Sequence, residues 1–160
     1  MAVDFNQVLP TVYVGSFPQT PRDIDRLDRE LGITGVLNVQ TDEDYAIQGC
    51  DWESLADYYA SKSIEVRRVP IVDFDSEDLS DCLPEAVQAL GELLRAKHLV
   101  YVHCTLGVSR SSTVVVAYLH WIIKLGLEEA MDHVLHCRRC LPDIDAVIEA
   151  TKQWAVSSGQ

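Results

Sequence analysis

The residues of this 160-residue chain best equipped for chemistry lie in one stretch, Tyr101-Val102-His103-Cys104-Thr105-Leu106-Gly107-Val108-Ser109-Arg110-Ser111. Leu99 to His103 reads as a short buried strand, and Ser111 to Leu125, apolar almost all round, reads as a helix buried in the middle of a domain. The loop between them is built like an anion cradle. Successive backbone N–H groups of Thr105, Leu106, Gly107, Val108, Ser109 and Arg110 can turn inward as a nest, and the helix N-terminus adds partial positive charge. Gly107 admits close approach of backbone without a Cβ. Arg110 supplies a planar fork for two phosphate oxygens. A cysteine on the floor of such a cradle is favoured as thiolate, below the free thiol value of about 8.5. Cys104 under a bound phosphate is therefore a nucleophile aimed at phosphorus. The plainer reading, a small buried hydrophobe at a strand end, leaves the histidine before it, the glycine three later and the arginine six later as coincidences.

Transfer of a phosphoryl group to sulfur expels an alkoxide or phenoxide, which departs well only if protonated. The sequence must then hang an acid over the cradle. Pro70 to Leu79 (PIVDFDSEDL) is rich in carboxylates and follows a strand signal, with Asp73 and Asp75 as the candidates.

The remaining elements can be read around these residues. Thr11 to Phe17 alternates like a strand, and Thr20-Pro21-Arg22-Asp23 starts a helix that Gly32 ends. Gly35 to Gln40 is a strand, Glu53 to Ser63 a helix and Glu65 to Ile71 a strand. Pro84 is expected to open a helix with Val87, Leu90, Leu93 and Leu94 on its apolar face, and Gly126 to close the buried helix. Helices about 127–140 and 142–157 complete the chain. Alternating strands and helices predict an α/β domain, a central mixed sheet flanked by helices, over residues 1–160 as one unit. His133, His136, Cys137 and Cys140 have ligand-like types, but one continuous helix does not aim all four at one ion, so ordinary packing is expected.

Composition bounds the rest. With 13 Lys plus Arg against 25 Asp plus Glu the formal charge is −12. That argues against non-specific nucleic-acid binding and against an anionic membrane surface, both of which attract cations. No apolar run approaches the roughly 20 residues that cross a bilayer, so a soluble protein is expected. Five cysteines, an odd number in a chain with ample core, fit a reducing compartment. The acidic positions Asp23, Asp25, Asp28, Glu30 and the loop at Asp42 to Asp44 read as solvated surface that repels acidic phosphopeptides.

HCTLGVSRS matches the His-Cys-X5-Arg-Ser/Thr signature of the protein tyrosine phosphatase superfamily, and the short chain resembles its dual-specificity branch. The resemblance implies a shallow-pocket phosphatase fold, a cysteinyl-phosphate intermediate, no metal and no cofactor. Carried over by position, Cys104 is the nucleophile, Arg110 the phosphate clamp, and Thr105 to Ser109 the amide donors. Ser111 steadies the departing thiolate and His103 orients the loop from behind. The Pro-Ile-X-Asp start of the acidic segment is similar to the family's general-acid loop and points to Asp73 over Asp75. VGSFPQTPRDIDRL, LGITGVLNVQTDEDY and RCLPDIDAVIEAT resemble the plant and algal glucan phosphatases of the starch-excess, laforin-related type. That implies a phosphoglucan substrate held on aromatic platforms, with Phe74 matching one and Trp52 standing either in a platform or in the core. It also admits a plastid location if a transit peptide was removed. Leu106 and Ser109 depart from the glucan-type loop toward protein-directed relatives, and Leu141 stands where an aromatic contact can occur. A phosphoprotein substrate is therefore the alternative. A non-catalytic phosphate reader and a redox-responsive switch at Cys104 are the competing classes.

Overall fold

The computed structural model describes residues 2–157. Five strands, β1 (Phe5–Leu9), β2 (Val12–Gly15), β3 (Gly35–Asn38), β4 (Glu65–Arg68) and β5 (Val100–His103), form one sheet in the order β1-β2-β5-β3-β4. β1 pairs antiparallel to β2 and every other pairing is parallel, so the sheet is mixed. β5 is central, in register with β2 (Val102 opposite Val14) and with β3 (Val102 opposite Leu37). Its four residues are all buried, as befits a strand covered on both faces. The chain passes β5 when it runs from β2 to β3, and returns to fill the gap last. The C-terminal ends of β2, β3 and β5 therefore lie side by side where β5 terminates, and ligands bind at the carboxyl ends of strands in open parallel sheets.

α1 (Pro21–Arg26) starts at the Thr20 cap, as its sequence predicts, and runs into a π-helical turn (Leu27–Leu31) closed by Gly32 at φ 75°. With α2 (Asp42–Gln48) and α3 (Trp52–Ser61) it encloses a core of Phe17, Ile24, Leu27, Tyr45, Leu55 and Tyr59. A second, larger core holds α4 (Ser76–Arg95), α5 (Arg110–Trp121), α6 (Leu127–Cys137) and α7 (Ile144–Ser157). α5 lies at its centre, buried from Arg110 to Leu119.

Four expectations need correction. Pro84 does not open a helix: α4 begins eight residues earlier, with the Asp75 carboxylate capping the N–H of Asp78, and Pro84 sits inside it. The proline cannot donate to the carbonyl of Ser80, but Leu79, Leu83, Val87 and Leu90 all reach the core on one face, and their burial outweighs one lost helical bond. Gly126 is the cap that starts α6, while α5 ends at Trp121 with Ile122 as its C-cap. Asp42 to Asp44 is not a loop but the first turn of α2, held by a reciprocal capping box between Thr41 and Asp44. Asp23 is not solvated either: it is buried, its carboxylate accepting from Gln19 N–H at 2.8 Å.

Candidate active site

β5 carries Cys104 to the open end of the sheet, and residues 105–109 turn there before α5 starts at Arg110. The carbonyls of this turn are all held from outside. Thr105 O accepts from Phe17 N–H (3.0 Å), Leu106 O from Arg138 Nη2 (3.1 Å), and Gly107 O from Arg138 Nε (2.7 Å). Val108 O accepts from Leu141 N–H (2.8 Å), and Ser109 O from the Thr113 N–H (2.9 Å) and hydroxyl (2.7 Å). Among the described residues no backbone N–H of residues 105–110 donates to a protein acceptor. A loop with its acceptors tied outward and its donors unengaged is a receptor for an anion.

Gly107 makes this turn possible. Its φ is 69°, and a Cβ there would lie 2.5 Å from the Gly15 carbonyl. Two glycine backbones meet at that crossing, so the loop packs directly on the end of β2.

Cys104 is buried, with Sγ 3.3 Å from the Ser111 hydroxyl. Behind it His103 is fully buried, and its Nδ1 lies 2.9 Å from the Cys104 carbonyl. A carbonyl only accepts, so Nδ1 carries the proton. Desolvation, opposed by that hydrogen bond and assisted by the charge of Arg110, pushes the imidazole down to about 4. The sign follows directly. The unfolded histidine, near 6.5, binds a proton that the folded one refuses, so its contribution to stability is complete above about pH 6.5 and is lost as pH falls toward 4. The full window is worth roughly 3 kcal/mol. We expect the unfolding free energy to fall more steeply between pH 6.5 and 4.5 in wild type than in His103→Gln, followed by urea titration. Parallel slopes would contradict this assignment.

Arg110 is buried, and its guanidinium is anchored on one side: Nη1 donates to Asp44 Oδ2 (2.7 Å) and to the Ile71 carbonyl (2.8 Å), and Nη2 to Thr105 Oγ1 (3.2 Å). The opposite edge makes no hydrogen bond through Nε but faces the Asp73 carboxylate as an ion pair. Nε is buried without a hydrogen bond, although Asp73 Oδ1 lies 3.2 Å away, and one Nη2–H remains. These two N–H groups make the parallel pair that a phosphate accepts side-on. Burial acts to raise the Asp44 carboxyl, but hydrogen bonds from Arg110 and Thr41 outweigh it and hold it below the usual carboxylate range. Asp44 thus stays ionised as the counter-charge that aims the guanidinium.

Over the cradle hangs the 71–75 segment. Asp73 faces Arg110, and its Oδ1 accepts from Phe74 N–H at 3.1 Å. Asp75 is committed elsewhere, as the cap of α4. Phe74 is fully exposed and, unusually for a side chain of its size, adopts φ 58°. A cleft of about 420 Å³ runs between this segment and the cradle, lined among others by Asp73, Phe74, Ser109, Arg110 and Leu141. Trp52 does not line it. Its half-buried ring packs against Tyr45 (5.4 Å) and Tyr59 (6.3 Å) at the edge of the smaller core, with the Arg68 guanidinium 4.9 Å over its face. All five cysteines are free thiols, and burial together with Asp78, Glu85 and Asp81 pushes the Cys82 thiol up to about 11.

Sequence reasoning missed Asp44, Gln40 and Arg138. Gln40 is fully buried, its amide 3.0 Å from Thr105 Oγ1. Asp44 had a visible signal, the Thr41-X-X-Asp44 spacing of a capping box. Arg138 had none, because what it touches is 31 and 32 residues away.

A mixed sheet with a cysteine and an arginine at the two ends of an amide-lined turn defines a class. The chain belongs to the dual specificity phosphatase catalytic domain family, hydrolases of phosphomonoesters, whose family model matches residues 12–154. Among its relatives, the chain is 37% identical over 151 residues to the chloroplastic phosphoglucan phosphatase LSF1 of Arabidopsis thaliana, covering 94% of this chain and 25% of that protein. It is 34% identical over 152 residues to the amyloplastic phosphoglucan phosphatase DSP4 of Castanea sativa, covering 94% of this chain and 40% of the relative. The chain thus spans less than half the length of these curated relatives. The solved structure of PTPMT1 in complex with PI(5)P superposes with a TM-score of 0.79 at 23% identity, covering 96% of this chain and 98% of that one, which establishes the common fold. No helix among the described residues is long and apolar enough to cross a membrane.

Proposed function

We propose that this chain hydrolyses phosphate monoesters through a covalent intermediate on Cys104, and that its substrate is a phosphorylated glucan. The observation that carries the chemistry is the complementary state of the 104–110 turn: carbonyls engaged from outside, backbone N–H groups without a protein acceptor, and the Nε edge of Arg110 free of hydrogen bonds and paired only with the carboxylate of Asp73. A phosphate dianion seated there puts phosphorus above the Cys104 sulfur. The S–P bond forms as the P–O bond to the leaving group breaks, and Asp73 delivers its proton to the departing oxygen. In the second step water attacks phosphorus, Asp73 takes a proton from it, and the electron pair of the S–P bond returns to sulfur. The Ser111 hydroxyl, 3.3 Å away, can then donate to the thiolate. No step calls for a metal or an organic cofactor.

Support for the glucan comes from the named activities of the relatives and from the cleft itself. Phe74 presents a whole aromatic face beside Asp73, in a backbone conformation that bulky residues avoid. Such strain persists where the surrounding structure requires it and clusters at ligand contacts. Sugar rings stack on such faces through their apolar C–H surface. The mouth of the cleft also carries Asp73, Asp75 and Asp143, which disfavours acidic phosphopeptides. Leu141, 73% exposed on the opposite wall, gives an apolar but not aromatic second surface.

Phosphate release should be measured side by side on solubilised phosphoglucan, a phosphopeptide panel and an aryl phosphate. We expect phosphoglucan to be preferred over peptides, and Phe74→Ala to lower glucan turnover by about tenfold, the worth of one stacking contact, while aryl phosphate turnover stays within about twofold. Equal loss on every substrate would remove the platform role from Phe74. Preferred release from phosphopeptides would favour the protein-phosphatase reading that Leu106 and Ser109 suggest.

A further inference from the structure

We propose that Arg138 is a positioning residue that holds two of the cradle's amide donors in their working orientation. The proposal rests on the phosphate-binding reading of the loop given above.

Arg138 lies at the C-terminal cap of α6, is not among the residues lining the cleft, and is buried. Its five N–H groups all have acceptors. Nε donates to Gly107 O (2.7 Å) and Nη2 to Leu106 O (3.1 Å). On the far side Nη1 donates to Asn6 Oδ1 (2.9 Å), and Nη1 and Nη2 each reach a carboxylate oxygen of Asp4 at 3.4 Å. The guanidinium is thus wedged between the loop and the N-terminal strand.

The consequence follows from the planarity of the peptide bond. In a trans peptide the C=O and the following N–H point in opposite directions. Drawing the Leu106 and Gly107 carbonyls outward therefore turns the N–H groups of Gly107 and Val108 inward, toward the position of a phosphate. The loop needs this help because glycine at 107 can rotate: with no Cβ, the peptides on either side of it reorient at little steric cost. A reversed peptide would present a carbonyl oxygen to a dianion in place of a donor. The neighbouring carbonyls, of Thr105 and Val108, are held by backbone N–H groups of Phe17 and Leu141, so the two around the glycine are the ones that depend on a side chain.

Charge and geometry can be separated by Arg138→Lys. Lysine keeps the cation but has a single compact head in place of a planar fork, so it does not hold both carbonyls and Asn6 together. The probe is tungstate, a tetrahedral oxyanion that reads the cradle without a leaving group. Its affinity is measured by calorimetry, beside kcat/KM on an aryl phosphate and the thermal midpoint. We expect Arg138→Lys to bind tungstate about ten- to a hundred-fold more weakly, with kcat/KM lowered in parallel and the pH limbs of the rate profile unmoved, because the proton-carrying groups are untouched. Unchanged tungstate affinity in a folded Arg138→Lys would overturn the proposal. Should that variant not fold, the paired change Asp4→Ala with Asn6→Ala decides. Both positions are exposed, and loss of these outer anchors should weaken tungstate binding in the same direction but by less, whereas unchanged affinity overturns the role. If wild type itself neither binds tungstate nor turns over the aryl phosphate, it is the reading of the loop that fails, which is a separate result.

Discussion

Cys104→Ser is expected to lower turnover of an aryl phosphate by more than about a thousand-fold while leaving the fold and the oxyanion affinity nearly intact. Serine is close in size to cysteine, and position 104 is buried beside the Ser111 hydroxyl, so the packing cost is small and the new hydroxyl has a partner. What is lost is the nucleophile. Sulfur is intrinsically a far better nucleophile than a serine hydroxyl, which is weak without an activating base. The cradle donors, by contrast, are main-chain groups and Arg110, none of which the substitution touches. The combination of abolished turnover and retained tungstate binding separates a chemical defect from a folding defect. Mass spectrometry of acid-quenched wild type should also find a phosphoryl adduct on the peptide containing Cys104, and none on that peptide in the variant. Full turnover in Cys104→Ser would remove the sulfur from the mechanism and with it the proposed intermediate.

The second large effect is expected at Arg110. Arg110→Lys keeps the charge, yet turnover should fall by about a hundred- to a thousand-fold. The arginine does two things at once: Nη1 is bound to Asp44 and to the Ile71 carbonyl, and this fixes the plane so that Nε and Nη2 face the phosphate. One ammonium group does not anchor to Asp44 and Ile71 and also offer a parallel pair of donors. Loss of the Ile71 bond further loosens the segment that carries Asp73, so the acid and the clamp are disturbed together. We therefore expect kcat to suffer more than KM, because the donors at Arg110 matter most to the charge that gathers on the equatorial oxygens in the transition state. A variant within about threefold of wild type would show that Arg110 only balances the charges of Asp44 and Asp73.

These two expectations rest on residues that could be picked out before any coordinates. Cys104, Gly107, Arg110 and Ser111 are linked by a covalent path of eight residues, and over so short a path the strand before and the helix after leave few ways to arrange the loop. The buried helix α5 was visible for a related reason: a run apolar on every side has no solvent face and must be central. Elements stabilised by distant partners were harder to read. β1 is an edge strand whose residues alternate only weakly in burial, and it exists because β2 pairs with it. α2 has seven residues, too few for a helical period to declare itself. Pro84 looked like a helix start because proline favours the first turn, but the Asp75 cap and the Leu79–Leu83 face set the start of α4 further back.

By itself the amino-acid sequence determined which groups do the chemistry, because the loop that joins them is local and its residue types admit little else. The tertiary structure alone decided what holds those groups in place. Asp44 reaches Arg110 across 66 positions and Arg138 reaches the loop carbonyls across 31 and 32. It also decided that Trp52 packs half-buried against Tyr45 while Phe74 stands in the open. Contacts made across such separations depend on how the sheet orders its strands and on which helix faces pack together. A local pattern of residues records its own periodicity but not the identity of a distant neighbour, and so it could name the reacting atoms without naming their supports.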